Sequence, residues 1–214
     1  MRLISFIIPY MTTHMRAPAG GVAGWVAMKI MSKANPPSVQ EAIQRLQLTE
    51  SDSFVEIGAG HGFGLQAIAS GGGAVPSRVV CVEISADFRA ELERVKASLP
   101  FADQIEIRAE DCQSMPYLED SSVDKMFAMN VVYFLDPLAD YLAEFHRVLK
   151  PGGQLVFGGK FQGVPSSALG AFVNTDPEII AQKMKEAGFE VTSTLVNAGT
   201  EDMHMYTELL GKKS

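Results

Sequence analysis

The sequence predicts an α/β chain built on an open, doubly wound sheet of seven strands, mostly parallel, with the last strand antiparallel. Three observations lead there. Short apolar, β-prone runs alternate with amphipathic helical stretches along most of the chain, the pattern of a parallel sheet covered by helices on both faces. The first of these runs ends in a glycine loop that leads into a helix. The last two runs, Phe189 to Val196 and Met203 to Leu210, are separated only by Asn197 to Asp202, too short for a crossover, so they form an antiparallel hairpin.

In chain order, Ser38 is read as a helix N-cap with Glu41 completing a capping box, and Val39, Ala42, Ile43 and Leu46 form the helical stripe. Ser53 to Ile57 is the first strand. It runs into Gly58, Gly60, Gly62 and Gly64, with the next helix continuing through Ala69 and ending at Gly71 to Gly73. Arg78 to Ile84 is a near-continuous apolar run, as for a strand buried on both faces. Ser85 caps a helix to Ser98, and Gln104 to Ala109 and Val123 to Met129 are further strands. A helix from Pro137 to Leu149, opened by Asp136, stops at Lys150-Pro151-Gly152-Gly153, and Gln154 to Gly158 is the fifth strand. Asp176 caps the last helix, which runs to Gly188.

Composition narrows the function. The chain has 214 residues, 47% hydrophobic and 20% charged, which suits one globular domain. A net charge of −7 argues against a nucleic-acid grip. Two cysteines are too few for a disulfide framework and fit a reducing compartment. The four histidines, His14, His61, His146 and His204, show no metal-ligand spacing. No stretch is long and apolar enough to span a bilayer. The first 40 residues carry Arg2, Arg16, Lys29 and Lys33 and no acid. Residues 1–35 are therefore read apart from the domain at 36–214, either as a helical cover over an acceptor site, with Trp25 and Met28 one turn apart, or as a targeting segment. The cytoplasm is the expected location, with the mitochondrion as the alternative.

An open parallel sheet binds its ligand beyond the carboxyl ends of its strands. Gly58, Glu83, Asp111 and Asn130 fall at those ends. Backbone N–H groups at the start of the helix after the glycine loop suit a polar or anionic ligand group. The glycine spacing misses the dinucleotide fingerprint, because the third glycine counted from Gly58 falls on Phe63 and that counted from Gly60 on Leu65.

Taken together, VEIGAGHGFG, VEIS, AEDCQSMPY, VDKMFAMNVVYFL and FHRVLKPGGQLVF resemble the ordered motifs of the class I S-adenosylmethionine-dependent methyltransferases. The likeness is to the small-molecule group that includes the ubiquinone/menaquinone biosynthesis enzymes, and it covers residues 36–210. It implies a Rossmann-like sheet of seven strands with strand seven antiparallel, and S-adenosyl-L-methionine as cofactor. By position, it implies that Gly58 and Gly60 line the methionine and ribose part, and that Glu56 orders the loop or meets the amino group. Glu83 would accept from the ribose hydroxyls and Ile84 would pack on the adenine. Asp111 would accept from the adenine amino group beside the Cys112 backbone, and Asn130 would lie under the sulfonium.

Methyl transfer from a sulfonium is an in-line displacement that needs positioning more than a nucleophilic side chain. Tyr133, just past the fourth strand, is the catalytic candidate on the acceptor side, with His61, Tyr117 and Asp136 behind it. The run Asn130-Val131-Val132-Tyr133 lacks the proline pair associated with methylation of amines on bases or glutamine. Trp25, Phe161 and Phe172 suggest an apolar or aromatic small-molecule acceptor. Two other readings are an NAD-dependent oxidoreductase, for which no Tyr-x-x-x-Lys is visible, and a catalytically inert cofactor-binding partner subunit.

Overall fold

In a computed structural model, residues 35–71, 74–161, 172–199 and 205–214 are described. The expectations for residues 1–34, including Trp25, Met28 and His14, and for His204 lie outside them. Helix α1 (Pro36–Leu46) precedes β1 (Ser53–Ile57), α2 (Phe63–Ser70), β2 (Arg78–Val82), α3 (Ala86–Ala97) and β3 (Ile105–Arg108). There follow β4 (Val123–Met129), α4 (Leu138–Val148), β5 (Leu149–Gly159), α5 (Pro177–Glu186), β6 (Phe189–Asn197) and β7 (Met205–Lys213). They form one seven-stranded sheet in the order β3-β2-β1-β4-β5-β7-β6. Strands β1 to β5 are parallel, and β7 runs antiparallel to both β5 and β6. This is the predicted fold, including the terminal hairpin.

The strands alternate strictly between two cores, as a period of two requires. Phe54, Val79, Cys81 and Phe127 face the helices α1, α2 and α3. Val55, Ile57, Val80, Val82 and Ala128 face α4 and α5. Glu56 therefore lies on the same face as α2, buried like its apolar neighbours.

Several element starts differ from expectation. Helix α1 begins at Pro36, with Asn35 in the cap position and no side-chain cap bond. Ser38 sits buried inside the first turn and is not the cap. The Pro36-Pro37 pair has no N–H to satisfy, so it opens the helix without a capping box. Helix α4 is preceded by Pro137 rather than capped by Asp136. Strand β5 starts at Leu149, five residues before Gln154, and pairs with Val123 before the register shifts. The β2 strand stops at Val82, but the Glu83 N–H still donates to Arg108 O at 2.9 Å, so the residue is held at the strand tip. The caps at Ser85 and Asp176 are as read: Ser85 Oγ accepts from Phe88 N, and Asp176 accepts from Glu178 N and Ile179 N.

Helix α1 is fastened at its C-terminal end. Lys125 Nζ donates to Leu46 O at 2.7 Å and Gln47 O at 2.6 Å, taking up the free carbonyls of its last turn. Arg45 donates to both carboxylate oxygens of Glu208 on β7, at 2.8 Å from Nη2 and 3.1 Å from Nε. The Glu208 side chain is only 7% exposed and that of Arg45 is 39% exposed. Arg45→Ala leaves a buried carboxylate without its partner and is expected to lower the unfolding free energy by about 2 kcal/mol. Denaturant unfolding measures it.

Candidate active site

The carboxyl ends of β1, β2, β3 and β4 converge on one cavity. Its lining includes Glu56, Gly58, Gly60, Glu83, Ile84, Asp111, Cys112 and Asn130. All eight residues singled out for cofactor contact are thus brought together, although they are spread over more than seventy positions of chain.

The glycine loop earns its glycines sterically. Gly58 has φ +67°, and a Cβ on it would come 2.5 Å from Val131 Cγ2. Gly64, in the first turn of α2, lies directly against the Glu56 carboxylate, so a Cβ there would overlap both oxygens. Gly64→Ala is expected to destabilise the fold by roughly 2–3 kcal/mol. A thermal melt tests this.

Glu83 holds the loop. Its Oε2 accepts from Gly60 N–H at 2.9 Å and its Oε1 from Ser85 N–H at 2.8 Å. Arg89 Nη1 donates to its main-chain carbonyl at 2.8 Å. Burial raises its pKa, and the N–H donors of Ser85 and Gly60 work against that rise. Glu56 is more extreme. It is 4% exposed, and its Oε2 has no hydrogen-bond partner among the described residues. Burial first, and the nearby Glu83 charge second, push it up to about 8. Over much of the neutral range Glu56 therefore carries a proton.

Around these acceptors the cavity wall is apolar. Ile84 is 42% exposed, an unusual state for isoleucine, and it faces the cavity. The His61 ring stacks on Phe63 with centroids 5.3 Å apart and leans on Phe88 at 4.7 Å. Burial lowers its pKa, opposed by Glu91, so His61 is a neutral ring at the cavity edge. Cys112 is buried and its thiol is pushed up to about 12, chiefly by burial; it packs rather than attacks. Asn130 adopts a left-handed φ of +58°. Its N–H donates to Gly158 O at 2.7 Å, and its Nδ2 donates to Asn35 Oδ1 at 3.3 Å.

Tyr133 stands elsewhere. It sits in a 3-10 turn (Val132–Phe134), buried among Phe134, Phe161 and Phe172, with ring centroids 5.3 Å from the last two. Phe134 from the same turn lines the cavity and Tyr133 does not. Burial raises the Tyr133 hydroxyl pKa. Asn174 locks this turn by donating to Val132 O at 2.8 Å and Leu135 O at 2.7 Å. Tyr117 stacks under the Arg108 guanidinium at 4.6 Å. His146 lies away from the cavity, packed edge-on against Phe189.

Asn35, Phe134 and Tyr141 also line the cavity; Asn35 and Phe134 fall in stretches expected on the acceptor side without being singled out, and Tyr141 has no counterpart among the expected residues. Asn35 has no motif. Phe134 and Tyr133 are neighbours whose facing is set by a turn, and Tyr141 looks like any core position of an amphipathic helix.

The donor set fits an adenosyl sulfonium cofactor. Carboxylates are acceptor-only groups, and Glu83 and Asp111 face a space suited to hydroxyl and amine donors. The orphaned Glu56 oxygen suits an ammonium group, and Ile84 suits the face of a ring. Comparisons with known proteins agree. Residues 55–157 match the methyltransferase-domain family, a likeness that supports a class I S-adenosylmethionine-dependent methyltransferase. S-adenosyl-L-methionine is the cofactor of that class.

Among relatives, the sterol 4-C-methyltransferase strm-1 of Caenorhabditis elegans is 33% identical over 114 residues, 53% of this chain and 32% of that protein. The match thus spans about a third of that relative's length. Of solved structures, the methyltransferase in complex with the Trm112 activator of Haloferax volcanii has a TM-score of 0.71 at 18% identity, covering 88% of this chain and 94% of that one. Geranyl diphosphate C-methyltransferase of Streptomyces coelicolor A3(2), solved with S-adenosyl-L-homocysteine, gives a TM-score of 0.66 at 17% identity, with 82% and 75% covered. At such identities the structural likenesses speak for the fold. Among the described residues no helix is long and apolar enough to cross a membrane, and no group of His, Cys, Asp and Glu is arranged to hold a metal ion.

Proposed function

We propose that this chain transfers the methyl group of S-adenosylmethionine to a small, apolar or aromatic acceptor. The observation that carries this reading is the convergence of Glu56, Glu83 and Asp111, from three successive strand ends, on the cavity that Phe134 and Leu135 wall on another side. When bound, the cofactor would supply an electrophilic methyl group that an acceptor attacks in line, with S-adenosylhomocysteine as the leaving group.

The chain's own residues bind, orient and exclude water. Glu83 takes the ribose hydroxyls while keeping the Gly60 and Ser85 N–H bonds that shape the loop. Asp111 takes the adenine amine beside the Cys112 backbone, and Ile84 covers the ring. Gly58 and Gly60 let the backbone approach the methionine part. Glu56 meets the ammonium group, and Asn130 sits at the sulfonium end. Fixed acceptors in a dry cavity raise the chance of near-contact, in-line geometry.

The acceptor side is read from the apolar lining residues Val39, Val131, Phe134 and Leu135, with the Tyr133, Phe161 and Phe172 rings packed together behind Phe134. Apolar lining with few polar groups suits an apolar ligand. We place Phe134 at the wall and Tyr133 behind it, supporting its ring. The names of the relatives, acting on a sterol and on geranyl diphosphate, point the same way.

The experiment is incubation of the purified chain with methyl-labelled cofactor and a panel of sterols, prenyl diphosphates and quinol precursors, alongside peptides and RNA. Label is expected in an organic-extractable small molecule. Label found only in peptide or RNA would remove the acceptor reading.

A further inference from the structure

Asp111 is an exposed residue on the turn after β3, where a carboxylate ordinarily samples several rotamers. Here both oxygens are engaged. Oδ1 accepts from Gln113 N–H at 3.0 Å, and Oδ2 accepts from the Tyr141 hydroxyl at 3.3 Å. Tyr141 is buried in α4 and lines the cavity beside Asp111.

It is one of a row. Gln113 Nε2 donates to Asp140 Oδ2 at 3.1 Å, and Met115 N–H donates to Glu144 Oε1 at 2.5 Å. Arg147 donates to Met115 O at 3.2 Å and to Leu118 O at 3.1 Å. Positions 141, 144 and 147 are each three apart and stack along one side of a helix, with Asp140 beside them. The polar edge of α4 thus splints the whole stretch from Asp111 to Leu118, and Tyr141 is the member that reaches the cavity.

We propose that Tyr141 is a positioning residue that sets the base selectivity of the nucleoside site by fixing the Asp111 carboxylate as an acceptor. The proposal rests on the reading of Asp111 as the partner of the adenine amine. A carboxylate held from two sides cannot turn away from what faces it. A ligand amine then gains a charge-assisted bond, whereas a carbonyl in its place sets acceptor against acceptor and is rejected. Without the Tyr141 hydroxyl, the carboxylate regains rotamers and the rejection weakens.

The test is calorimetric titration of wild type, Tyr141→Phe and Asp111→Asn with S-adenosylhomocysteine and with S-inosylhomocysteine, whose base carries a carbonyl where adenine carries its amine. Wild type is expected to prefer the adenosyl ligand by roughly a hundredfold. Tyr141→Phe is expected to cut that ratio about tenfold, with weaker adenosyl binding and tighter inosyl binding, at an unchanged melting temperature. Both affinities falling together would make Tyr141 structural only, and an unchanged ratio would make it irrelevant; either overturns the proposal. An Asp111→Asn ratio equal to that of wild type, or no binding of the adenosyl ligand to wild type, would instead strike the adenine-site reading, and the proposal with it.

Discussion

Glu83→Ala is expected to weaken S-adenosylmethionine binding by roughly a hundredfold or more. Two hydroxyl bonds to a buried carboxylate are lost, each worth about 1.5–3 kcal/mol. The same substitution leaves Gly60 N–H and Ser85 N–H without their acceptor at 2.9 and 2.8 Å, so the loop loses its anchor as well. The two losses separate by experiment. Glu83→Gln keeps one carbonyl oxygen and two donors, and cannot accept at both positions. It should keep one of the two loop bonds and so lose less stability than Glu83→Ala by thermal melt, and still lose most of the affinity by calorimetry. If Glu83→Gln bound the cofactor as tightly as wild type, the ribose assignment would be wrong.

Glu56→Gln is expected to make the protein more stable and a worse binder. The Glu56 pKa stands at about 8 against an ordinary 4.5, raised first by burial. The folded state therefore holds a proton that the unfolded state has already released between those values. Glu56's contribution to stability is fully present below the lower value and is lost as pH rises through the upper. A glutamine has nothing to release. At about 1.4 kcal/mol per unit, the gap up to pH 7 bounds the gain at about 3 kcal/mol, or a melting temperature higher on the order of 5–10 °C. The gain should shrink toward pH 5. A stabilisation that did not change with pH would mean that Glu56 is ionised in the folded protein. An ammonium ligand reverses the preference, because it favours the charged carboxylate. Cofactor binding at neutral pH should then release a proton, visible as a binding heat that changes with the ionisation enthalpy of the buffer. Glu56→Gln should abolish that dependence and weaken binding.

What the sequence made legible follows from range. The glycine loop, the apolar strands and the short connection before the last strand are local signals, and each became the expected element. Glu83 and Asp111 were found because they stand at the ends of recognisable strands. The capping-box spacing from Ser38 to Glu41 is real in the sequence, but the two prolines before it open the helix three residues earlier without needing a cap. Tyr141 was missed for a different reason. Its partner Asp111 is 30 residues away, and nothing in the helical pattern separates a tyrosine that packs from one whose hydroxyl crosses to a neighbouring turn. Phe134 and Tyr133 differ by one position in a 3-10 turn, and the turn is held by the Asn174 bonds to Val132 O and Leu135 O and by the Val173 N–H bond to Tyr133 O, partners too far along the chain to be read locally.

We propose that the cavity at the strand ends is an S-adenosylmethionine site. The most direct measurement is calorimetric titration of the purified chain with S-adenosylmethionine and, separately, with NADH. One site with a dissociation constant on the order of micromolar is expected for the first ligand, and no binding of the second. Binding of NADH, or no heat with S-adenosylmethionine at a protein concentration where the fold is intact, would contradict it.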